Sequence, residues 1–180
     1  MAASEAPTGR RALDLGAGAV TQVPGAIRLD IARACRPDVV ADLAAPLPFR
    51  NDVFEVVGAF DVVEHVPDLV RLVEEVHRVL KPGGVFRVTT PHFSSSNVYA
   101  DPTHKRALGL RSFDCFSDAH PLRYYSTARF RVRLASLMFK GRLLGRVMFH
   151  VARWFPAWYE DRVAWMFPAW FLYFELEAVK

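Results

Sequence analysis

The sequence predicts a single α/β domain with a mostly parallel, doubly wound sheet. Two observations carry this. Short apolar runs, each ending in a carboxylate or a glycine turn, recur along the first ninety or so residues, and a helix with one apolar face lies between the fourth run and the fifth. With 180 residues there is room for one sizeable core, so one domain over residues 1–180 is expected.

The elements follow in order. Residues 1–10 hold Ala, Ser, Glu, Pro and Gly without an apolar stretch and read as a disordered tail. Arg11-Ala-Leu-Asp-Leu15 is a buried strand broken by Gly16-Ala17-Gly18. Residues 26–30 and 38–42 repeat the pattern and end in Asp30 and Asp42, while residues 53–60 and 84–90 are a fourth and a fifth strand. Leu69, Leu72, Val73, Val76, Val79 and Leu80 share one helical face, with Asp68 at the start, a Glu74–Arg78 pair one turn apart, and Pro82-Gly83-Gly84 as a stop. Tyr124–Phe130 resembles the start of a late helix found in enzymes of this architecture, and Leu172–Val179 reads as a final strand. Between them Phe155-Pro156 and Phe167-Pro168 cut an aromatic-rich helical insertion into short pieces.

Composition narrows the function. Two cysteines, Cys35 and Cys115, form neither a disulfide framework nor a CxxC zinc pair, and a reducing compartment fits. No apolar run reaches the roughly 18 residues of a spanning helix. The cytoplasm is the expected location, with peripheral membrane contact as a variant. The net charge of +4 is uneven: residues 1–121 hold 13 Lys/Arg against 15 Asp/Glu, and residues 122–180 hold 10 against 4.

In a doubly wound sheet ligands bind outside the carboxyl ends of the strands, where strand order reverses. Asp14, Gly16, Asp30, Asp42, Phe60 and His92 all fall at such ends. The turn Asp14-Leu15-Gly16-Ala17-Gly18 allows close backbone approach, but it is not a dinucleotide fingerprint, because Thr21 stands where a third glycine is needed. Asp30 is suited to a ribose diol and Asp42 to an exocyclic amine, so the set describes a site for an adenosine and an amino acid.

Asp14-Leu-Gly-Ala-Gly18, Pro46-Leu-Pro-Phe49 followed by Phe54-Glu55, Glu64-His-Val-Pro-Asp68 and Leu80-Lys-Pro-Gly-Gly84 together resemble class I S-adenosylmethionine (SAM)-dependent methyltransferases, Rossmann-like enzymes of the type 11 group, over about residues 11–95. The resemblance implies SAM as cofactor and S-adenosylhomocysteine as product. It implies that Asp14, Leu15 and Gly16-Ala17-Gly18 hold the methionine end, that Asp30 holds the ribose, that Asp42 and Leu43 border the adenine, and that Phe60 lies beside the methionine moiety. Residues 11–95 would then bind SAM and residues 96–180 form the acceptor side. Two features depart from the pattern: only eleven residues, Ala19 to Leu29, separate Gly18 from Asp30, too few for the usual helix, and Glu55 replaces an aspartate.

Methyl transfer needs alignment and exclusion of water, and a base only if the acceptor must lose a proton. His65, His92 and His104 are the candidates. No metal site is expected, since His92, Asp101 and His104 are loosely spaced along one loop. Residues 137–171 interleave Leu, Phe, Met and Trp with Lys140, Arg142, Arg146, Arg153 and Arg162, and read as core packing, an acceptor lid, a homodimer face or a peripheral membrane contact. Nucleic acid is not an expected partner, because the basic residues alternate with large apolar ones. The acceptor is expected to be a bulky small molecule, lipid-linked or sugar-containing. The competing readings are a non-catalytic SAM-binding or partner protein and, third, a nucleotide-sugar or NAD enzyme.

Overall fold

The computed structural model describes residues 12–141 and 143–180; the expected tail, Arg11 and Arg142 lie outside them. Among the described residues seven strands form one sheet: β1 (Ala12–Leu15), β2 (Ile27–Asp30), β3 (Val39–Val40), β4 (Phe54–Phe60), β5 (Leu80–Pro91), β6 (Arg129–Met138) and β7 (Phe171–Val179). Their spatial order is β3-β2-β1-β4-β5-β7-β6, with β7 antiparallel to both neighbours and the first five strands mutually parallel. Strand order reverses at β1 and β4, which opens the crevice where such sheets take their ligands.

One face of the sheet is the core. Leu13 and Leu15, Val57 and Ala59, Phe86 and Val88, and Leu172, Phe174 and Leu176 alternate inward along their strands and are fully buried. Helix α1 (Leu69–Val79) covers part of them with Leu72, Val73, Val76 and Val79. Asp68 caps it by accepting from the Arg71 backbone N–H. The expected Glu74–Arg78 pair is replaced by Glu75–Arg78 at 2.8 Å, because Glu74 instead takes the Ser126 hydroxyl at 2.7 Å. Arg78 also donates to the carbonyls of Leu47 and Phe49, and Glu75 accepts the Leu47 N–H, so the Pro46–Phe49 segment is clamped to the helix.

The opposite face is polar where it meets β7. Arg87 pairs with Glu175 at 3.1 Å, and Arg133 with Glu177 at 3.0 Å, all of them partly exposed. Nearer β1 this face is covered by the short segment after Gly18. The Val23 side chain and the Phe60 ring press on Gly58, where a Cβ would lie 2.6 Å and 2.5 Å from them.

Two expectations are corrected. Pro82-Gly83-Gly84 does not separate helix from strand: α1 passes at Leu80 directly into β5, and these residues form an irregularity in it, with Phe54 paired to Leu80 and Val56 to Val85. Residues 124–130 do not start a helix. A single 3-10 turn, Arg123–Tyr125, leads into β6, whose residues alternate across the sheet beside β7. Between β6 and β7 run helix α3 (Leu143–Trp154), a short turn α4 (Pro156–Trp158) that begins at Pro156, and a wider turn over Tyr159–Val163. One more short helix, α2 (Asn97–Ala100), lies in the loop after β5.

Candidate functional site

Beyond the carboxyl ends of four parallel strands lies a cavity of about 310 Å³, and each strand contributes the residues that follow it. Gly16 follows β1, Asp30 and Ile31 close β2, Ala41 to Ala44 follow β3, and Asp61 to Val62 with His65 to Pro67 follow β4. The volume falls within the ordinary range for small-molecule sites.

Local geometry explains how the walls are set. Gly16 has φ +59°, and a Cβ there would lie 2.4 Å from Val62 Cγ2, so the glycine lets the first turn pack against the segment after β4. That segment is aimed by Asp61, which is left-handed at φ +57°, gives its N–H to the Thr89 carbonyl and accepts the Thr89 hydroxyl at 2.8 Å. Gly18, also left-handed, has open space where a Cβ would stand, and donates its N–H to Asp30 Oδ2 at 2.8 Å. Asp30 Oδ1 accepts from the Ala32 N–H at 2.7 Å. Each oxygen retains a lone pair, so a carboxylate already locked in place has capacity for two hydroxyl donors. Asp42 is oriented similarly through Oδ1, which accepts the Ala44 N–H at 2.8 Å.

Of the residues expected to hold the cofactor, Gly16, Asp30, Asp42 and Leu43 line this cavity. Asp14 is buried and turned to the other face, where its Oδ2 accepts the Thr21 hydroxyl at 2.5 Å and the Gln22 N–H at 3.1 Å. Burial raises its pKa, with those hydrogen bonds opposing the shift. Asp14 thus holds down the segment that replaces a helix. Leu15 is in the core, Ala17 gives its N–H to the Leu29 carbonyl, and Phe60 lies over Gly58 beside Val23. The sequence reading missed Ile31, Asp61, Val62, Val66 and Pro67 as wall residues. The signal was present, since each follows a strand end already identified.

The three histidines separate. His65 lines the cavity. His92 is fully buried, with Nδ1 on the Ser94 hydroxyl at 2.8 Å and Nε2 on Glu160 at 3.1 Å, which ties β5 to the turn after α4 and leaves neither nitrogen for an acceptor. His104 lies behind His65, with ring centroids 4.6 Å apart, and its Nδ1 bonds the Val98 carbonyl at 3.1 Å. Beside these rings is Glu64, 2% exposed, whose pKa burial pushes up to about 6.

The cavity thus brings together a fixed carboxylate at the end of β2, a second after β3 and the Gly16 turn after β1, groups suited to a ribose diol, an exocyclic amine and close backbone approach.

Residues 12–88 match the model of a methyltransferase domain family. Over 81 residues, 43% of this chain and 32% of the relative, the chain is 41% identical to a probable S-adenosylmethionine-dependent methyltransferase of Mycolicibacterium smegmatis. Over 83 residues, 46% of this chain and 21% of the relative, it is 35% identical to squalene methyltransferase 1 of Botryococcus braunii. A sterol 24-C-methyltransferase of Aspergillus fumigatus is 36% identical over 73 residues, 40% of this chain and 19% of that one. The matched segments thus span about a third or less of these relatives' lengths. A SAM-dependent methyltransferase from Archaeoglobus fulgidus superposes with a TM-score of 0.64 at 18% identity, covering 93% of this chain and 86% of that one. The YcgJ protein of Bacillus subtilis gives 0.63 at 17% identity, covering 95% and 92%. Residues 12–88 are therefore similar to a methyltransferase domain, and the described chain shares the fold of solved structures that include S-adenosylmethionine-dependent methyltransferases.

Proposed function

We propose that the protein transfers the methyl group of SAM to an apolar, lipid-like acceptor taken up at a membrane surface. The observation that carries the first half is the cavity at the switch point, with the Asp30 carboxylate fixed by Gly18 and Ala32 and able to accept two hydroxyls. In this reading Asp30 binds the ribose, Asp42 and Leu43 border the base, and the Gly16 backbone faces the methionine portion. SAM supplies an electrophilic methyl group, and the chain's part is to orient it and exclude water. Of the three imidazoles considered for proton removal, only His65 stands in the cavity wall.

The acceptor half rests on the segment between β6 and β7. Trp154 is 74% exposed and Met166 74%, and Leu143, Phe155, Trp158 and Trp165 are exposed beside them. Arg146, Arg153 and Arg162, also exposed, are interleaved. Exposed Trp among arginines suits the boundary between lipid headgroups and acyl chains. A second cavity, of about 580 Å³, lies under α3, with Leu134, Leu137, Phe149 and Ala152 among its walls and Arg111, Arg153 and Glu160 beside them. The register Pro91–Phe171–Met138 puts this part of β6 at the same end of the sheet as the SAM cavity. The sterol and squalene methyltransferases among the relatives are named for lipid substrates, which supports the same acceptor class. No helix among the described residues is long and apolar enough to cross a membrane, so contact would be peripheral.

Calorimetric titration with SAM and S-adenosylhomocysteine is expected to show micromolar or tighter binding, with NAD silent and with Asp30→Ala roughly tenfold or more weaker through the loss of charge-assisted hydrogen bonds. Incubation with methyl-labelled SAM and a cell extract should then place label in the organic phase, and anionic vesicles should quench the exposed tryptophans more than zwitterionic ones. Label confined to water-soluble products would remove the lipid acceptor. Absence of SAM binding would favour the non-catalytic partner reading.

A further inference from the structure

The loop after β5 returns to the segment after β4 and is stapled there: the Lys105 N–H bonds the Glu64 carbonyl at 2.8 Å, and Arg106 donates to the carbonyls of Val66 and Pro67 at 2.6 and 2.8 Å. This brings Glu64, His65 and His104 together, with one ligand atom of each within 4.8 Å of the others. Residues forty positions apart thus meet beside His65, which lines the cavity.

The hydrogen bonds decide where the lone pairs point. Thr103 has one hydroxyl hydrogen and gives it to Asp101 Oδ1 at 2.6 Å, so His65 Nδ1, 2.8 Å from the same oxygen, must be the donor of that pair. His104 Nδ1 faces the Val98 carbonyl, an acceptor only, and therefore also carries its proton. With Nδ1 carrying the proton, the neutral form of each ring has its lone pair on Nε2, the arrangement typical of metal-ligating histidines whose other nitrogen is held by an outer partner. Neither oxygen of the buried Glu64 carboxylate has a hydrogen-bond partner. His104 Nε2 stands 4.0 Å from Glu64 Oε1 and 4.0 Å from Asp101 Oδ2. Those gaps are too long for a hydrogen bond, yet ligand atoms sharing an ion at bond lengths of about 2.0–2.2 Å are separated by roughly 3–4 Å.

We propose that Glu64, His65 and His104, with Asp101 at the rim, form a site for a divalent transition-metal ion of the zinc class. Two imidazoles and a carboxylate suit zinc, cobalt(II) or manganese(II), whereas magnesium and calcium prefer oxygen alone. Three protein ligands leave coordination positions open beside His65, in the wall of the cavity, where water or an oxygen of a bound molecule can take them. His65 then serves as a ligand and not as a base.

The test uses the untagged full chain, stripped with chelator and free of SAM, so that it is independent of cofactor binding. Equilibrium dialysis against Zn²⁺ with elemental analysis is expected to give about one equivalent at micromolar or lower free metal, and Co²⁺ should produce a visible absorption band from mixed nitrogen and oxygen ligands. Glu64→Gln, which preserves volume, and His104→Ala are each expected to weaken binding by roughly tenfold or more. His150→Ala, at an exposed position of α3, should leave it unchanged. Circular dichroism melts verify folding, and Glu64→Gln decides the matter if His104→Ala is unfolded. Retention of less than about a tenth of an equivalent, or equal affinity in Glu64→Gln and the parent, overturns the proposal.

Discussion

Gly16 is required by the protein before any ligand is considered. Its φ of +59° and the 2.4 Å that would separate a Cβ from Val62 Cγ2 mean that Gly16→Ala must displace either the first turn or the segment after β4. Urea denaturation is expected to show a loss of about 2–3 kcal/mol, part of it regained in Gly16→Ala/Val62→Ala. Gly18→Ala, with the same backbone sign but open space, should lose only about 1–2 kcal/mol. Equal losses would remove Val62 as the cause. That Gly16, Asp30 and Asp42 stand at strand ends, where they line the cavity, was legible in the sequence because strand ends are easy to locate. The hydrogen bonds of Asp14 to Thr21 and Gln22 were not, because these partners meet it only once the shortened segment has folded back.

Among the elements, α1 was readable from its apolar face and its cap, but the partners of its polar face were not. Arg78 collects the Leu47 and Phe49 carbonyls, Asn51 and Glu75, and so connects a helix to a segment some thirty residues earlier. Arg78→Ala should therefore cost about 2–3 kcal/mol in denaturant titration, well above the few tenths expected of an exposed helical arginine. A loss below about 0.5 kcal/mol would show that the clamp contributes nothing. Strand β6 was misread for a different reason. Arg129-Phe-Arg-Val-Arg alternates with period two, as a half-buried strand should, whereas the preceding tyrosines resemble a helix start, and in the fold the alternation prevails. The His65–His104 meeting had no local signal, because it depends on a backbone staple between separate loops.

For the whole molecule, parallel order, the switch-point cavity and the basic aromatic third were all foreseeable from pattern and charge. What pattern could not show is how the two halves share a core. Phe174 of β7 packs against Phe113 with ring centroids 4.8 Å apart, and lies in the same buried cluster as Phe86 and Leu13. Phe174→Ala is expected to cost about 3–5 kcal/mol and to melt the domain as one unit, whereas Trp154→Ala should change thermal stability by less than about 0.5 kcal/mol. A transition in two steps would show that the halves fold separately.

The position of β7 between β5 and β6 has a consequence for how the chain is made. Strands leave the ribosome in sequence order, yet β5 and β6 have no shared hydrogen bonds and wait for a strand that follows β6 by more than thirty residues. Until residues 171–179 emerge, the nascent chain presents two open strand edges, one of them the apolar Val85–Val88 stretch of β5. Chaperone capture during synthesis, and aggregation when translation stalls, should therefore concentrate in the interval between those two strands.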